Sequence, residues 1–448
     1  MSVSTKLTPS QKIKELRKAA NITQQDLGEA LGCTKSKISR VEKGEWEYSE
    51  KDIATAKKFF GIEKAPFTDK ELLDFKQRLY KWKDLIRNRL TDEARKNQKD
   101  LIVITKLPFE PDLHTLYRMF EIRLVLTEMN DVLAEEMLAT EELLISEATE
   151  ENKHNFYHNM GSLYIYKRDF KTALKYFLVA LDYEKYVFEK DISLNLNLAI
   201  CYSRLGKYAL TVGILEEAYN FIDYNRVGST RASVDSMLAI NYVRLGQVKR
   251  AKRLLEKALS EVLGINNKMH LGIVYHNYGC ACWKAKEYEE AIDYFDKACE
   301  CFEKGDRFYI ENMYWKIRSL IDLKEASKAR LLLSEMKLIS EGNEHNALIF
   351  ESLSCLLAIT DESSIEFIEK KTIPYLVDRY EYYRALDYCE LLEGKFIKWG
   401  DGFKRRLSEL TATIRSITKE VMFGEEVSFD EKEKEEDCKR SSDSGNHP

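Results

Sequence analysis

The chain has 448 residues, 32% charged and 44% hydrophobic, with only six prolines and 19 glycines. That balance favours helix over sheet, and the length exceeds what one core holds unless the fold is an extended array. No apolar run approaches a membrane span and the N-terminus carries no apolar signal segment, so we expect a cytoplasmic protein with no membrane association. Nine scattered cysteines, an odd number, fit a reducing compartment rather than a disulfide framework. The net charge of −5 hides an asymmetry. Residues 1–100 hold 23 Lys and Arg against 16 Asp and Glu, a balance of +7, and the remainder holds 47 against 59, or −12. A basic front on an acidic body predicts that the front meets a polyanion.

Residues 1–64 read as four short helices. Thr8 or Ser10 caps the first, with Ile13, Leu16 and Ala20 inward. Thr23 caps a second, from Gln24 to Leu31, and Gly32-Cys33 makes a tight turn. Thr34 caps a third, with Ile38 and Val41 inward, which Gly44 stops. Ser49 caps a fourth, with Ile53, Ala56 and Phe60 inward. Two short helices joined by a glycine-containing turn form a helix-turn-helix. The stretch Ile22 to Gly44, ITQQDLGEALGCTKSKISRVEKG, closely resembles the phage-repressor type (XRE, or Cro/C1) of DNA-binding domain. The resemblance implies that the third helix enters the major groove of double-stranded operator DNA. Gln24 and Gln25 then meet phosphate, and Thr34, Lys35, Ser36, Lys37, Ser39 and Arg40 form the DNA-facing helix. Lys and Arg pair with guanine O6 and N7, whereas Ser is less selective.

Residues 65–110 are expected as a linker helix and a connection. Leu72, Phe75, Leu79, Trp82 and Ile86 recur at helical steps. Lys76, Lys81, Lys83, Arg87 and Arg89 are read as its solvated face. From Leu113 to Leu144 helical periodicity predicts a degenerate repeat that seals the array behind it.

From His154 to Ser340 the sequence repeats. Gly161, Ala199, Ala239, Gly279 and Ile317 are separated by 38, 40, 40 and 38 residues. Twelve positions on come Ala173, Thr211, Ala251, Ala291 and Ala329. Sixteen on come Phe177, Leu215, Leu255, Phe295 and Leu333, and nineteen on come Ala180, Ala218, Ala258, Ala298 and Met336. Small and large residues at fixed offsets mark paired helices stacked in an array, and these offsets resemble the tetratricopeptide repeat. We read the small positions as the close approach within a unit and the large ones as filling the gap to the next unit. The predicted fold is all-α, a helix-turn-helix domain followed by a right-handed superhelical tetratricopeptide solenoid.

Two residues before the small position lie Asn159, Asn197, Met237, Asn277 and Trp315. One earlier lie His158, Leu196, Ser236, His276 and Tyr314. An Asn side chain offers both a donor and an acceptor, so a ladder of them holds an extended peptide by its main chain. The competing reading is that each Asn packs within its own repeat. Arg204, Arg244 and Lys284 are taken as turn residues only.

Head plus array resembles the RRNPP group of cytosolic quorum-sensing receptors of Gram-positive bacteria, nearest the long-array NprR type and the phage arbitrium receptors. The resemblance implies a homodimeric transcription regulator, by its head a repressor, switched by a short signalling peptide. His158, Asn159, Asn197, Ser236, His276, Asn277 and Tyr314 are the expected peptide contacts. It implies residues 111–424 as the peptide-binding and dimerisation domain. The alternative is a Rap-like scaffold that sequesters a response regulator or another protein. No enzyme is expected, and no catalytic residues, cofactor or metal. His154 and His158 lack a third ligand, and Cys280, Cys282, Cys299 and Cys301 are read as packing. Near the end, Tyr380, Tyr382, Tyr383 and Trp399 are expected to be exposed to a partner, and 425–448 to form a disordered acidic tail.

Overall fold

The computed structural model describes residues 7–189, 192–219, 229–264, 267–359, 361–395 and 401–419. Among them there is no strand. Trp399 and the expected tail lie outside the described residues. Contacts divide the chain into two units, Met1–Cys201 and Tyr202–Pro448.

The first unit opens with α1 (Pro9–Ala19), α2 (Gln24–Ala30), α3 (Lys35–Glu42) and α4 (Glu50–Phe59). Each start is fixed by a local cap. Thr8, Thr23, Thr34 and Ser49 accept a hydrogen bond from the backbone three residues on, which satisfies an otherwise orphaned N–H. In α2 a Cβ added to Gly28 would lie 2.8 Å from the Cys33 carbonyl oxygen, so the α2–α3 turn closes only over glycine. Ile13, Leu27 and Ile38 fill the centre with no exposed surface.

The same core continues without a break through α5 (Asp69–Arg87), α6 (Thr91–Leu101), α7 (Pro111–Thr127), α8 (Asp131–Glu142) and α9 (Glu150–Tyr166). Residues 65–110 are therefore packed structure. Trp82 is buried, stacks on Tyr117 at 5.2 Å and donates to the Ala94 carbonyl at 2.9 Å. Lys12 crosses from the head into this layer. It is 4% exposed and donates to Phe67 O at 3.0 Å and to Glu110 at 2.8 Å. Lys83, expected in solvent, is buried over the Tyr80 ring at 4.5 Å. Its stem serves as core while the ammonium finds a carbonyl, that of Glu189.

Repeat hairpins follow. α9 pairs with α10 (Phe170–Asp182), and the division between the units falls within the last turn of α11 (Ser193–Arg204). The second unit holds α12 (Tyr208–Tyr219), α13 (Ser229–Arg244), α14 (Val248–Leu263), α15 (Lys268–Lys284), α16 (Tyr288–Cys299), α17 (Arg307–Asp322) and α18 (Ala326–Ile339). It ends with α19 (Glu344–Leu357), α20 (Glu362–Phe367), a π-helical turn into α21 (Ile373–Asp378), α22 (Tyr382–Lys395) and α23 (Asp401–Lys419). The repeat offsets of twelve, sixteen and nineteen are buried at all five units.

One packing assignment changes. A Cβ on Gly161 would lie 2.5 Å from the Phe177 ring, and one on Gly279 2.6 Å from Phe295. The large residue thus sits on the small one of its own hairpin. The sequence compensates pair by pair: Gly161 with Phe177, Ala199 with Leu215, Ala239 with Leu255 and Gly279 with Phe295. Gly161→Ala is expected to destabilise by about 1–3 kcal/mol through overpacking. Adding Phe177→Leu, which recreates the neighbouring Ala/Leu pair, is expected to restore most of it. Urea unfolding of the two variants checks this, and a double variant no better than the single one refutes the pairing.

The C-terminal aromatics also differ from expectation. Tyr382 is buried, and Tyr380 and Tyr383 are half-buried. The side chains of α22 are spent against α17. Tyr314 meets Tyr388 at 3.4 Å, Arg384 pairs with Glu311, and Arg318 pairs with Asp387.

Candidate DNA interface and repeat inner face

The head places its basic residues unequally. Thr34, Lys35, Ser36 and Arg40 are exposed and Ser39 is half-buried. Arg40 lies over the exposed Trp46 ring at 5.0 Å, a contact that orders the guanidinium before any ligand arrives. Lys37 is already engaged, with its ammonium 2.9 Å from Asp52. Gln25 is exposed, but Gln24 donates to Glu42 at 2.8 Å. Glu42 also takes Arg17 at 2.5 and 2.9 Å. Burial opposes the Glu42 charge, yet these bonds prevail and hold its carboxyl below the ordinary range. Gln24 and Lys37 thus brace the head, and the outward surface is Gln25, Thr34, Lys35, Ser36, Ser39 and Arg40.

In the first unit α7, α9 and α11, the first helices of successive hairpins, are joined by polar side chains. Asn159 is 0% exposed, donates to the Met119 carbonyl at 2.7 Å and accepts from Arg123 at 3.2 Å. Its expected peptide contact gives way to a tie between α9 and α7, since both halves of its amide are used inside the chain. His158 is also buried, between Arg123 on Nδ1 and the Asn197 amide on Nε2, each at 2.9 Å. Arg123 only donates, so Nδ1 accepts. A neutral imidazole then has its proton on Nε2, and the Asn197 amide must turn its oxygen to the ring. Asn197 itself is half-buried.

The second unit repeats the device at other positions. Asn277 is buried and donates to Ser236 Oγ at 2.7 Å, which ties α15 to α13 and accounts for both residues. Ser203 donates to Asn241 at 2.8 Å, and Arg244 donates to Ser203. His276 bonds Asn312 Oδ1 through Nδ1 at 2.9 Å, and Asn312 donates to the Phe308 carbonyl at 2.7 Å. That leaves Nε2 as an acceptor 3.6 Å from Cys280 Sγ. Burial pushes the His276 imidazolium pKa down and the Cys280 thiol up, so both are neutral at pH 7. Tyr314 is buried under Arg384, whose guanidinium stacks on it at 4.1 Å. Glu311 keeps 39% of its side chain exposed. Burial opposes its charge, but Arg384 wins and holds the carboxyl well below the usual range.

Of the seven expected peptide contacts, Asn197 and His276 keep exposed surface, while His158, Asn159, Ser236, Asn277 and Tyr314 bind helix to helix. Sequence reasoning missed Arg123, Asn241 and Asn312. The last two are also inner-helix asparagines, but they fall off the register of the first three. His154 Nδ1 lies 2.9 Å from the Ala180 carbonyl, which ties α9 to α10. Cys282 is buried, and the one nearby cluster among the described residues, with Glu287 and Glu290, already has Lys252 in it.

Comparisons with known proteins agree with this architecture. Residues 10–65 match a helix-turn-helix domain family, and residues 154–185 and 230–304 match tetratricopeptide repeat families. A curated relative, the transcriptional activator NprA of Geobacillus stearothermophilus, is 25% identical over 258 residues, 54% of this chain and 62% of that protein. The chain thus spans less than two thirds of the relative it matches. A solved Rap protein, complexed with competence and sporulation factor, superimposes with a TM-score of 0.66 at 17% identity, over 77% of this chain and 99% of that one. The quorum sensor NprR superimposes as the apo form from B. thuringiensis, with a TM-score of 0.58 at 18% identity over 76% of this chain and 99% of that one. NprR in complex with its cognate peptide NprX gives 0.55 at 18% identity, over 72% and 97%. At these identities the structural likeness speaks for the fold.

Proposed function

For a chain of the RRNPP type, with its helix-turn-helix head and tetratricopeptide repeats, we propose a sequence-specific transcription regulator whose DNA binding is switched by a short signalling peptide. The observation that carries this reading is one chain holding both parts. It has an outward recognition helix with Lys35, Ser36 and Arg40 exposed, and repeats with the fold of NprR, which has been solved with a cognate peptide. Residues 111–424 are the proposed peptide-binding and dimerisation domain. Asn197 and His276 are its proposed direct contacts, and the buried Asn159 and Asn277 are ties whose geometry a bound peptide shifts. Two heads of a homodimer then read half-sites about 34–36 Å apart, so a small change in their spacing engages or releases DNA. Repression is the proposed sign, on the head's likeness to phage repressors. The curated relative is named an activator, and the same head serves either role according to where its operator lies.

The test has two steps. An operator is first selected from random duplexes with the full chain. Its affinity is then measured by fluorescence anisotropy with and without synthetic peptides from the open reading frame beside the gene. A shift of about tenfold or more, or roughly 1.4 kcal/mol, is expected. Unchanged affinity at saturating bound peptide overturns the switch.

A second reading has its own support. Val132 at the start of α8 and Leu143 and Leu144 just past its end are 65%, 83% and 65% exposed, which suits a docked protein. A Rap-like scaffold predicts that the chain keeps its cellular effect when α3 no longer binds DNA.

A further inference from the structure

A cavity of about 230 Å³ lies in the second unit, where the ends of α13 and α15 and the start of α12 meet α22 and α23. Three cations line it: Lys207, Arg244 and Lys284. They reach one place because the repeat brings successive inner helices to an end at the same edge; Arg244 and Lys284 are one 40-residue step apart. Arg244 and Lys207 have neutral hydrogen-bond partners, and Lys284 faces Asp387 without a hydrogen bond to it. Arg244 donates to the Ser203 hydroxyl and lies over the Tyr208 ring at 5.4 Å. Lys284 lies over the Tyr383 ring at 5.5 Å, and Lys207 donates to the Ile417 carbonyl at 3.2 Å. Of the two carboxylates on the wall, Asp387 is taken by Arg318, and Glu390 lies 3.8 Å from Arg415. Three cations against two carboxylates leave the wall with one positive charge in excess. Tyr383 adds a buried hydroxyl with no hydrogen-bond partner among the described residues, a group that an incoming oxygen would satisfy.

We infer that this cavity seats a carboxylate of the bound peptide, its C-terminal group or an Asp or Glu side chain, between Arg244 and Lys284. The inference rests on the proposed peptide switch and adds the chemistry of one end of the ligand. A carboxylate suits the site because cations outnumber carboxylates on its wall, Leu245 and Leu386 exclude some of the water, and the cavity is too small for a folded partner. Charge-assisted hydrogen bonds to a desolvated carboxylate are stronger than neutral ones, so this end of the peptide discriminates as well as anchors.

The experiment offers the full chain three short-peptide libraries and identifies retained peptides by mass spectrometry. One has free C-terminal acids and no Asp or Glu. One has C-terminal amides and no Asp or Glu. The third has C-terminal amides with Asp and Glu allowed. Retention from one or both carboxylate-bearing libraries is expected to exceed the carboxylate-free one by about tenfold. Lys284→Gln, at an exposed position that leaves the fold intact, and Arg244→Gln are expected to erase that margin. Equal retention from the carboxylate-free library, or a margin unchanged in Lys284→Gln, overturns the inference and leaves the peptide switch standing. Retention from none of the three overturns the peptide switch and this site with it.

Discussion

Arg318→Leu is expected to destabilise the second unit by about 3–5 kcal/mol, the cost of leaving a buried charge without its partner. Arg318 is 2% exposed. Its guanidinium binds Asp387, reaches Asp322 at 3.1 Å and lies over the Trp283 ring at 5.3 Å. Removing it strands Asp387, whose carboxyl burial already pushes up. Replacing both charges, Arg318→Leu with Asp387→Leu, is expected to recover most of the loss, because the desolvation penalty disappears with the pair. Urea denaturation followed by fluorescence of Trp283 and Trp315 reads both variants. If the double variant unfolds as early as the single one, the pair is holding shape rather than balancing charge. The result matters for function as well as stability. This pair and Arg384 with Glu311 fasten α22 to α17, and α22 forms one wall of the cationic cavity.

The parts legible in the sequence are those fixed by local chemistry. Thr8, Thr23, Thr34 and Ser49 announce helix starts because each satisfies an N–H within three residues, whatever the tertiary context. The repeat offsets are legible because a 2.5 Å approach tolerates only glycine opposite a phenylalanine, and the constraint recurs. The inner face was not legible to the same degree. Asn159 and Asn197 share one register, yet one is fully buried and the other half-exposed. The difference is Arg123, which comes from α7 and covers the first. No pattern within the repeat encodes that neighbour. Lys12 and Lys83 show the same limit from the other side. Nothing in their spacing distinguishes a lysine that will bury its stem and meet a carbonyl from one that stays in water. Arg244 and Lys284 were visible as periodic cations, but their shared cavity needs α22, about 140 and 100 residues later in the chain, which no repeat periodicity brings in.

Lys35→Ala together with Arg40→Ala is expected to remove most discrimination between operator and random duplex. A good pairing of Lys or Arg with a guanine edge is worth about 1–3 kcal/mol of discrimination, so two lost pairings reduce the specificity ratio by one to several orders of magnitude. The geometry separates their roles. Lys35 opens α3, at the end that meets base edges in a helix-turn-helix, and is exposed. Arg40 lies in the last turn and is steadied on Trp46. Salt titration of each single variant tells which it does. A residue that touches phosphate lowers the slope of log K against log salt by about 0.9 when removed, and weakens all sequences alike. A residue that reads a base leaves the slope nearly unchanged and lowers only the operator affinity. Lys35→Ala is expected to follow the second pattern. Lys37→Ala is the contrasting case. Its ammonium is held 2.9 Å from Asp52, so its loss is expected to lower the stability of the head more than it lowers specificity. Retained operator preference in the Lys35 and Arg40 double variant would move recognition off α3, and a specificity loss in Lys37→Ala equal to that of Lys35→Ala would show that the Asp52 contact opens on DNA.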